Sequence, residues 1–188
     1  MHVYDFAIHF LPPDTILLGG KGSYTVTASF VSGSTGDIPS VSLSISGLTG
    51  SFGSTSLVPT TSGASSTLTV DSPATVGDAL FTVTGTDSRT PEGGTRNIHS
   101  LVYAYDFTMA VSSADTILLG GRGSYTATLT LVTGSGGTIP SVTLSINTLT
   151  GLFSSSVTPT PAGAASTLSV NSPASVGDSS FKIGRAHV

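Results

Sequence analysis

Asp14-Thr15-Ile16-Leu17-Leu18-Gly19-Gly20-Lys21-Gly22-Ser23-Tyr24-Thr25 decides the fold, because it returns as Asp115-Thr116-Ile117-Leu118-Leu119-Gly120-Gly121-Arg122-Gly123-Ser124-Tyr125-Thr126. The offset, 115 − 14, is 101 residues. Further matches at this offset relate Tyr4-Asp5-Phe6 to Tyr105-Asp106-Phe107 and Phe52 to Phe153. Beyond Phe153 the offset falls to 100, and it then relates Leu68, Val70, Pro73 and Phe81 to Leu168, Val170, Pro173 and Phe181. A period this long describes a whole domain rather than one unit of a solenoid.

The repeat predicts two tandem domains, residues 1–104 and residues 105–182, of which the second is incomplete. The alignment of the two copies fails after Phe181, and nothing in the second copy matches Asn97–Tyr103. The last residues, 183–188, resemble a common sequencing adapter translated in frame. We interpret them as an artefact of a fragment assembled from metagenomic reads, and we leave them out of the fold prediction.

Composition favours strands and turns and excludes several functions. Of the 188 residues, 38% are hydrophobic and only 9% are charged, and the net charge is −4. Because there is no basic patch, we expect no nucleic-acid partner. There is no cysteine, hence no disulfide and no thiolate metal site. No apolar run approaches the ~20 residues of a membrane span, and no signal peptide is recognisable at the start.

Alternation of apolar and polar residues predicts short strands. The clearest runs are Tyr24–Phe30 and Val41–Ile45, and a first strand from Tyr4 is interrupted by Pro12 and Pro13. About seven such strands with glycine-rich turns and no helical period indicate an all-β chain of two antiparallel β-sandwiches, the second ending before its last strand. The predicted core of copy one contains Phe6, Tyr24, Val26, Phe30, Val41, Leu43, Ile45, Phe52, Leu68, Val70, Phe81 and Val83.

Four runs of residues carry a family resemblance: Ser23–Thr27, Val41–Leu48, Ser66–Val70 and Phe81–Thr86. They resemble the immunoglobulin-like repeats, related to fibronectin type III, of large prokaryotic secreted and cell-surface proteins. The resemblance covers both copies and implies an immunoglobulin-like sandwich. Related repeats often carry tyrosine where Ala79 and Ser179 stand, so a tyrosine-corner hydrogen bond is missing here. The family has no shared catalytic residues, so the resemblance implies none.

Catalytic and nucleotide-binding motifs are missing from the sequence. There is no G-x-S-x-G nucleophile elbow. Gly19-Gly20-Lys21-Gly22-Ser23 looks like a phosphate loop, but it lacks the GK[ST] ending and precedes a strand instead of a helix. We interpret it as a hairpin turn. We therefore predict no enzyme activity, no catalytic residue and no cofactor.

The histidines and carboxylates are the residues that could bind a metal ion. His9 and His99 would form a zinc pair if the first and last strands were neighbours, but two imidazoles without a third ligand make a poor site. We predict exposed, unpaired histidines and no metal. Carboxylates stand at turns, where capping explains them better than calcium binding at the junction of the two modules. This set is Asp14, Asp71, Asp78, Asp115 and Asp178, with Asn171 in place of a sixth.

Two functions remain open after this search. The favoured one is a non-catalytic spacer, secreted or on the cell surface, whose partners are other domains of the same parent protein. The alternative is an adhesion module that binds a glycan or a protein through the loops Gly33–Pro39 and Ser88–Gly94. Exposed aromatic platforms for sugars are not expected, since there is no tryptophan and most aromatic residues alternate inward.

Overall fold

The computed structural model describes residues 3–10, 14–35, 39–89, 93–113 and 115–186. Every regular element among these residues is a β-strand, in agreement with the all-β prediction. The chain divides into two compact units, Met1–Ala104 and Tyr105–Val188, called unit 1 and unit 2 below. Within the described ranges there is no helix that could cross a membrane.

Unit 1 contains two sheets, and the pairs β1–β3, β3–β7, β5–β7, β4–β6, β4–β8 and β8–β9 are antiparallel. Its strands are β1 (Phe6–Phe10), β2 (Asp14–Leu17), β3 (Lys21–Phe30), β4 (Val41–Ser46), β5 (Gly50–Phe52), β6 (Ser56–Leu57), β7 (Ala64–Asp71), β8 (Gly77–Asp87) and β9 (Thr95–Tyr105). The strand order is β1-β3-β7-β5 in one sheet and β2-β9-β8-β4-β6 in the other. The first strand is therefore split between the sheets, as its interruption predicted. The two prolines of the interruption lie outside the described residues.

Side chains from both sheets of unit 1 form one buried cluster, which is the arrangement of a β-sandwich. The predicted core residues on β1, β3, β4, β5, β7 and β8 are buried, with three exceptions. Ile45 and Phe52 are partly buried and pack against the core, whereas Phe30 is partly exposed at the end of β3. The structure adds residues that the prediction omitted: Ile8, Ile16, Ala28, Leu57 and Val102.

The glycine-rich stretch after Leu18 makes a tight turn, but it does not close a hairpin. The Gly20 amide donates a hydrogen bond to the Leu17 carbonyl at 2.8 Å, and Gly19 has a φ of 80°, which glycine adopts without strain. The strands on either side lie in different sheets, because β2 neighbours β9 whereas β3 neighbours β1 and β7. The hairpin interpretation was therefore wrong, and the turn carries the chain from one sheet to the other.

Unit 2 repeats part of this plan. Its strands are β10 (Phe107–Val111), β11 (Arg122–Leu131), β12 (Thr143–Asn147), β13 (Gly151–Phe153), β14 (Ala164–Asn171) and β15 (Lys182–Ala186). The sheet β10-β11-β14-β13 has the order of β1-β3-β7-β5 in unit 1, and β12 pairs with β15. Ile146 faces Ile183 across this pair as Ile45 faces Val83 in unit 1. Residues 183–186, which the fold prediction left out, thus belong to a strand. Their origin in an adapter stays a prediction.

Two segments that form strands in unit 1 are irregular in unit 2. The Asp115–Leu118 segment corresponds to β2, and the Gly177–Phe181 segment corresponds to the first half of β8, yet neither is a strand. In unit 1, β9 lies between β2 and β8. The described part of unit 2 contains no counterpart of β9, so both segments lack the neighbour that would pair with them. That unit 2 is a truncated domain stays a prediction.

Candidate functional site

The two loops named in the alternative function meet at one end of unit 1. The Ser88 amide donates to the Ser40 carbonyl at 2.9 Å, and the Thr35 amide donates to the Val3 carbonyl at 2.9 Å. We call this region the loop end and define it as residues 3–6, 31–35, 39–40, 87–89 and 93–96. Residues 36–38 and 90–92 of the two loops lie outside the described ranges. The loop end is the place where a ligand of unit 1 was expected.

Two arginines dominate the chemistry of the loop end. The Arg89 guanidinium lies 4.1 Å from the centre of the Tyr4 ring and 3.3 Å from a carboxylate oxygen of Asp87. The Arg96 guanidinium lies 5.6 Å from the centre of the Phe6 ring and 2.5 Å from Oδ1 of Asp5. Each positive charge is therefore matched by a carboxylate and stacked on an aromatic face. The sequence shows the charged loop, but Tyr4, Asp5 and Phe6 lie far from the arginines along the chain and gave no local signal of these contacts.

The Asp87 carboxylate fixes Arg89 in place. Its side chain is only 2% exposed, and it also accepts a hydrogen bond from the Arg89 backbone amide at 2.9 Å. An arginine that turned outward to a ligand would leave a buried carboxylate without its counter-charge, which is costly. The hydroxyl of Tyr4, beneath Arg89, is buried and has no hydrogen-bond partner among the described residues. The arrangement is thus better suited to closing the end of the unit than to exchanging ligands.

The two described histidines do not form the pair that was considered. His9 lies on β1 and His99 on β9, and these strands belong to different sheets. Both rings are exposed, as predicted, but neither is unpaired. His9 Nε2 lies 3.1 Å from Ser29 Oγ, and His99 Nδ1 lies 2.8 Å from Thr82 Oγ1. Each imidazole ring therefore forms a hydrogen bond with a hydroxyl group on the neighbouring strand, and such cross-strand side-chain pairs stabilise β-sheets.

The carboxylates at the turns bind the backbone or a lysine. Asp14 accepts a hydrogen bond from the Thr15 amide at 2.8 Å, and Asp115 accepts one from the Ser124 amide at 3.3 Å. Asp71 forms an ion pair with Lys21 on the adjacent strand. No group of three or more histidine or acidic side chains that could hold a metal occurs within the described ranges. Capping of the backbone thus accounts for Asp14 and Asp115, an ion pair holds Asp71, and the capping role of Asp78 and Asp178 stays a prediction.

Tyr24 has a clearly perturbed pKa. Burial raises its pKa from 10.0 to about 12, and the negative charge of Asp14 adds to the increase. Its ring packs against Phe10 with centres 4.9 Å apart and against Phe81 with centres 5.6 Å apart. A phenol with a pKa this high stays neutral at physiological pH and does not act as a base. The trio Phe10, Tyr24 and Phe81 is therefore a packing element.

The equivalent region of unit 2 is open. Tyr125 packs edge-on against Phe181 with ring centres 5.0 Å apart, but Val111 replaces the third aromatic residue and is 40% exposed. Both rings line a groove of about 620 Å³, whose apolar lining also includes Ile117, Leu119, Leu149 and Val170. Both rings also line a second groove of about 340 Å³, together with Met109 and Ile183. We call this region, with its two grooves, the open face.

Comparisons with known proteins add a distant likeness of fold. Neither a protein-family model nor a curated protein matches the chain. Among solved structures, domains 4 and 5 of the S-layer protein SbsC are 16% identical with a TM-score of 0.37, and the match covers 55% of this chain and 53% of that one. For SbsC domains 4–9 the identity is 14%, the TM-score is 0.37, and 99% of this chain and 31% of that one are covered.

A third structure, a protein of unknown function from Porphyromonas gingivalis W83, is 13% identical with a TM-score of 0.38 and covers 88% of this chain and 83% of that one. The chain thus spans about half of the first of these structures and under a third of the second. At TM-scores of 0.37–0.38 these likenesses carry no argument about function.

Proposed function

We propose that the chain is a pair of non-catalytic, immunoglobulin-like spacer modules of a larger secreted or cell-surface protein. Its partners would be other domains of that protein. The proposal is supported by the repeated sequence and by the split first strand, which supplies one edge strand to each sheet of unit 1 and so links the two sheets. A spacer needs a stable fold and no reactive site, so its side chains can all serve the fold.

One observation carries the proposal: the two arginines of the loop end and the buried hydroxyl of Ser66 are held by partners within unit 1. Both arginines of the loop end are paired with Asp5 and Asp87. The buried hydroxyl of Ser66 is likewise satisfied, because it donates to the Ser54 carbonyl at 2.8 Å and accepts from the Ser54 amide at 2.9 Å. Polar groups that are hydrogen-bonded or ion-paired within the unit stabilise its fold and are not free to bind a substrate.

Stretching a single molecule of the chain by its two ends tests the spacer role. A load-bearing module should resist and then unfold in one step, because antiparallel sheets with a shared core unfold cooperatively. Extension of the 104 residues of unit 1 would release a step of up to about 350 Å, at ~3.3–3.6 Å per extended residue. Gradual extension of unit 1 without a discrete step would contradict the proposal.

The second candidate function is glycan or protein binding at the loop end. It is favoured by the stacking of Arg89 on Tyr4 at 4.1 Å, because an arginine–aromatic surface can hold planar or anionic groups. A glycan array and a pull-down screen, each run with the chain and with an Arg89→Ala/Arg96→Ala variant, separate the two functions. The spacer role predicts the same background for both proteins. Saturable binding that the variant loses would establish a binding module instead.

A further inference from the structure

The open face of unit 2 has the features of a strand-acceptor site. In unit 1, β9 pairs with β8 on one side and neighbours β2 on the other. In unit 2 the corresponding segments, residues 177–181 and 115–118, are present but not paired into strands. In the described residues β15 pairs only with β12, which leaves its second edge open. One extended strand laid between these segments would satisfy both edges at once.

The apolar side chains around the open face are exposed where their counterparts in unit 1 are covered. Leu118 is 85% exposed, whereas Leu17, its counterpart, is 8% exposed. Val176 is also 85% exposed, whereas its counterpart Val76 is partly buried. Such a patch on a protein surface marks an interaction site. The residues that a β9 counterpart would cover are thus already in place.

We propose that the open face binds an extended antiparallel segment with the side-chain pattern of β9. Unit 1 provides the template for this occupant. There Ala79 faces Val102, Phe81 faces Ser100 and Val83 faces Ile98 across the β8–β9 pair. Val102 is fully buried, and Ile98 is partly buried against the core. The occupant therefore needs apolar residues at every second position and a small residue opposite the aromatic ring.

The same register fits unit 2. Ser179, Phe181 and Ile183 stand where Ala79, Phe81 and Val83 stand in unit 1. A valine opposite Ser179 would enter the larger groove, and a small residue opposite Phe181 would leave room for the contact of that ring with Tyr125. Main-chain hydrogen bonds would supply affinity, and the alternate side chains would supply specificity. The aromatic floor, Tyr125 and Phe181, and the larger groove do not include residues 183–188, whereas the second groove and the end of the register include Ile183.

A synthetic peptide with the sequence of Thr95–Tyr105 tests the proposal on the full chain. Hydrogen exchange should slow by about tenfold or more in residues 115–118 and 177–183, because amides that gain a strand partner exchange through rarer openings. The matched control is the same peptide with Ile98→Ser and Val102→Ser, which keeps the outward-facing side chains and replaces the apolar core-facing ones. This control peptide should have little effect on the exchange rates of the open face. The Phe181→Asp substitution in the chain should abolish the effect while unit 1 exchanges as before.

Three results would overturn the proposal. Unchanged exchange at saturating peptide would show that no strand is accepted. Equal slowing by the control peptide would show that the side-chain pattern of β9 is not recognised. The third result is that, in the absence of peptide, exchange at the open face slows as the protein concentration rises and a dimer forms. That result would show that a second copy of the chain occupies the face.

Discussion

Asp14–Thr25 and Asp115–Thr126 differ in sequence only at one position, Lys21 against Arg122, yet the two stretches adopt different structures. The first forms β2, the cross-sheet turn and the start of β3, whereas the second begins as an irregular segment and becomes a strand only at Arg122. Ile16 and Leu17 are 5% and 8% exposed in unit 1, whereas of their counterparts in unit 2 Ile117 is only partly buried and Leu118 is 85% exposed.

The difference follows from one strand that the two stretches do not contain. In unit 1, β9 lies between β2 and β8, so the backbone of Asp14–Leu17 has a neighbouring strand to pair with. The same neighbour helps to bury the apolar side chains of this segment. An isolated strand is not stable in water, because its backbone groups and apolar face need neighbours. The sequence of a strand therefore decides whether it can pair, and its neighbour decides whether it does.

The largest expected effect comes from disrupting β9 in unit 1. Val102→Asp places a charge where the side chain is fully buried, so we expect unit 1 to lose more than about 3 kcal/mol of unfolding free energy. Urea unfolding followed by residue-resolved NMR measures the loss. Asn97→Asp introduces the same charge at an exposed position of β9 and serves as the control. A loss under ~1 kcal/mol for Val102→Asp would show that β9 does not support the core.

A matched pair of cavity substitutions compares the two cores. Leu43 and Leu144 occupy equivalent positions, and each is 6% exposed. Leu43→Ala should cost unit 1 about 2–5 kcal/mol. Leu144→Ala should cost less, because the open face lets the surroundings of the cavity relax. The same NMR-detected unfolding gives both values, and a cost for Leu43→Ala under ~0.5 kcal/mol would show that the wrong face of β4 was assigned to the core.

A second matched pair tests the repeated stretch itself. Leu17→Ser should destabilise unit 1 by about 1.5–3 kcal/mol, the value for exposing a buried leucine. Leu118→Ser alters a side chain that is 85% exposed, so unit 2 should change by less than ~0.5 kcal/mol. Chemical denaturation of the two variants provides the comparison. Equal losses in the two units would mean that Leu118 is buried in solution.

Alkaline pH should affect unit 1 through Tyr24. Below pH 10.0 the phenol is protonated in both the folded and the unfolded state, so its titration does not change stability there. Between pH 10.0 and about 12 the unfolded state gives up this proton first, and the stability of unit 1 should fall as the pH rises. The Tyr24→Phe variant should lack this part of the fall. Denaturation of both proteins at about pH 8 and about pH 11 checks the result, and an identical fall in both would contradict the assignment.

The strands and most of the core were predictable because they depend on local alternation. The burial of Tyr24, Val26 and Leu43, for example, was predicted from the alternation of apolar and polar residues around them. What the sequence could not provide was the pairing between distant segments. The turn at Gly19 looked like a hairpin because a turn sequence does not state which sheet each flanking strand joins. The contacts of Arg89 with Tyr4 and of Arg96 with Asp5 span 85 and 91 residues of sequence, so no local pattern could reveal them.

Hydrogen exchange of the repeated stretch in the unmodified chain tests the central claim most directly. The claim is that a neighbouring strand, and not the sequence of the stretch, decides its structure. Amides within residues 14–17 should include some that exchange at least about tenfold more slowly than their counterparts in residues 115–118, which corresponds to ~1.4 kcal/mol or more of local opening free energy. Equal protection of the two stretches would contradict the account, because an unpaired segment cannot protect its amides as a paired strand does.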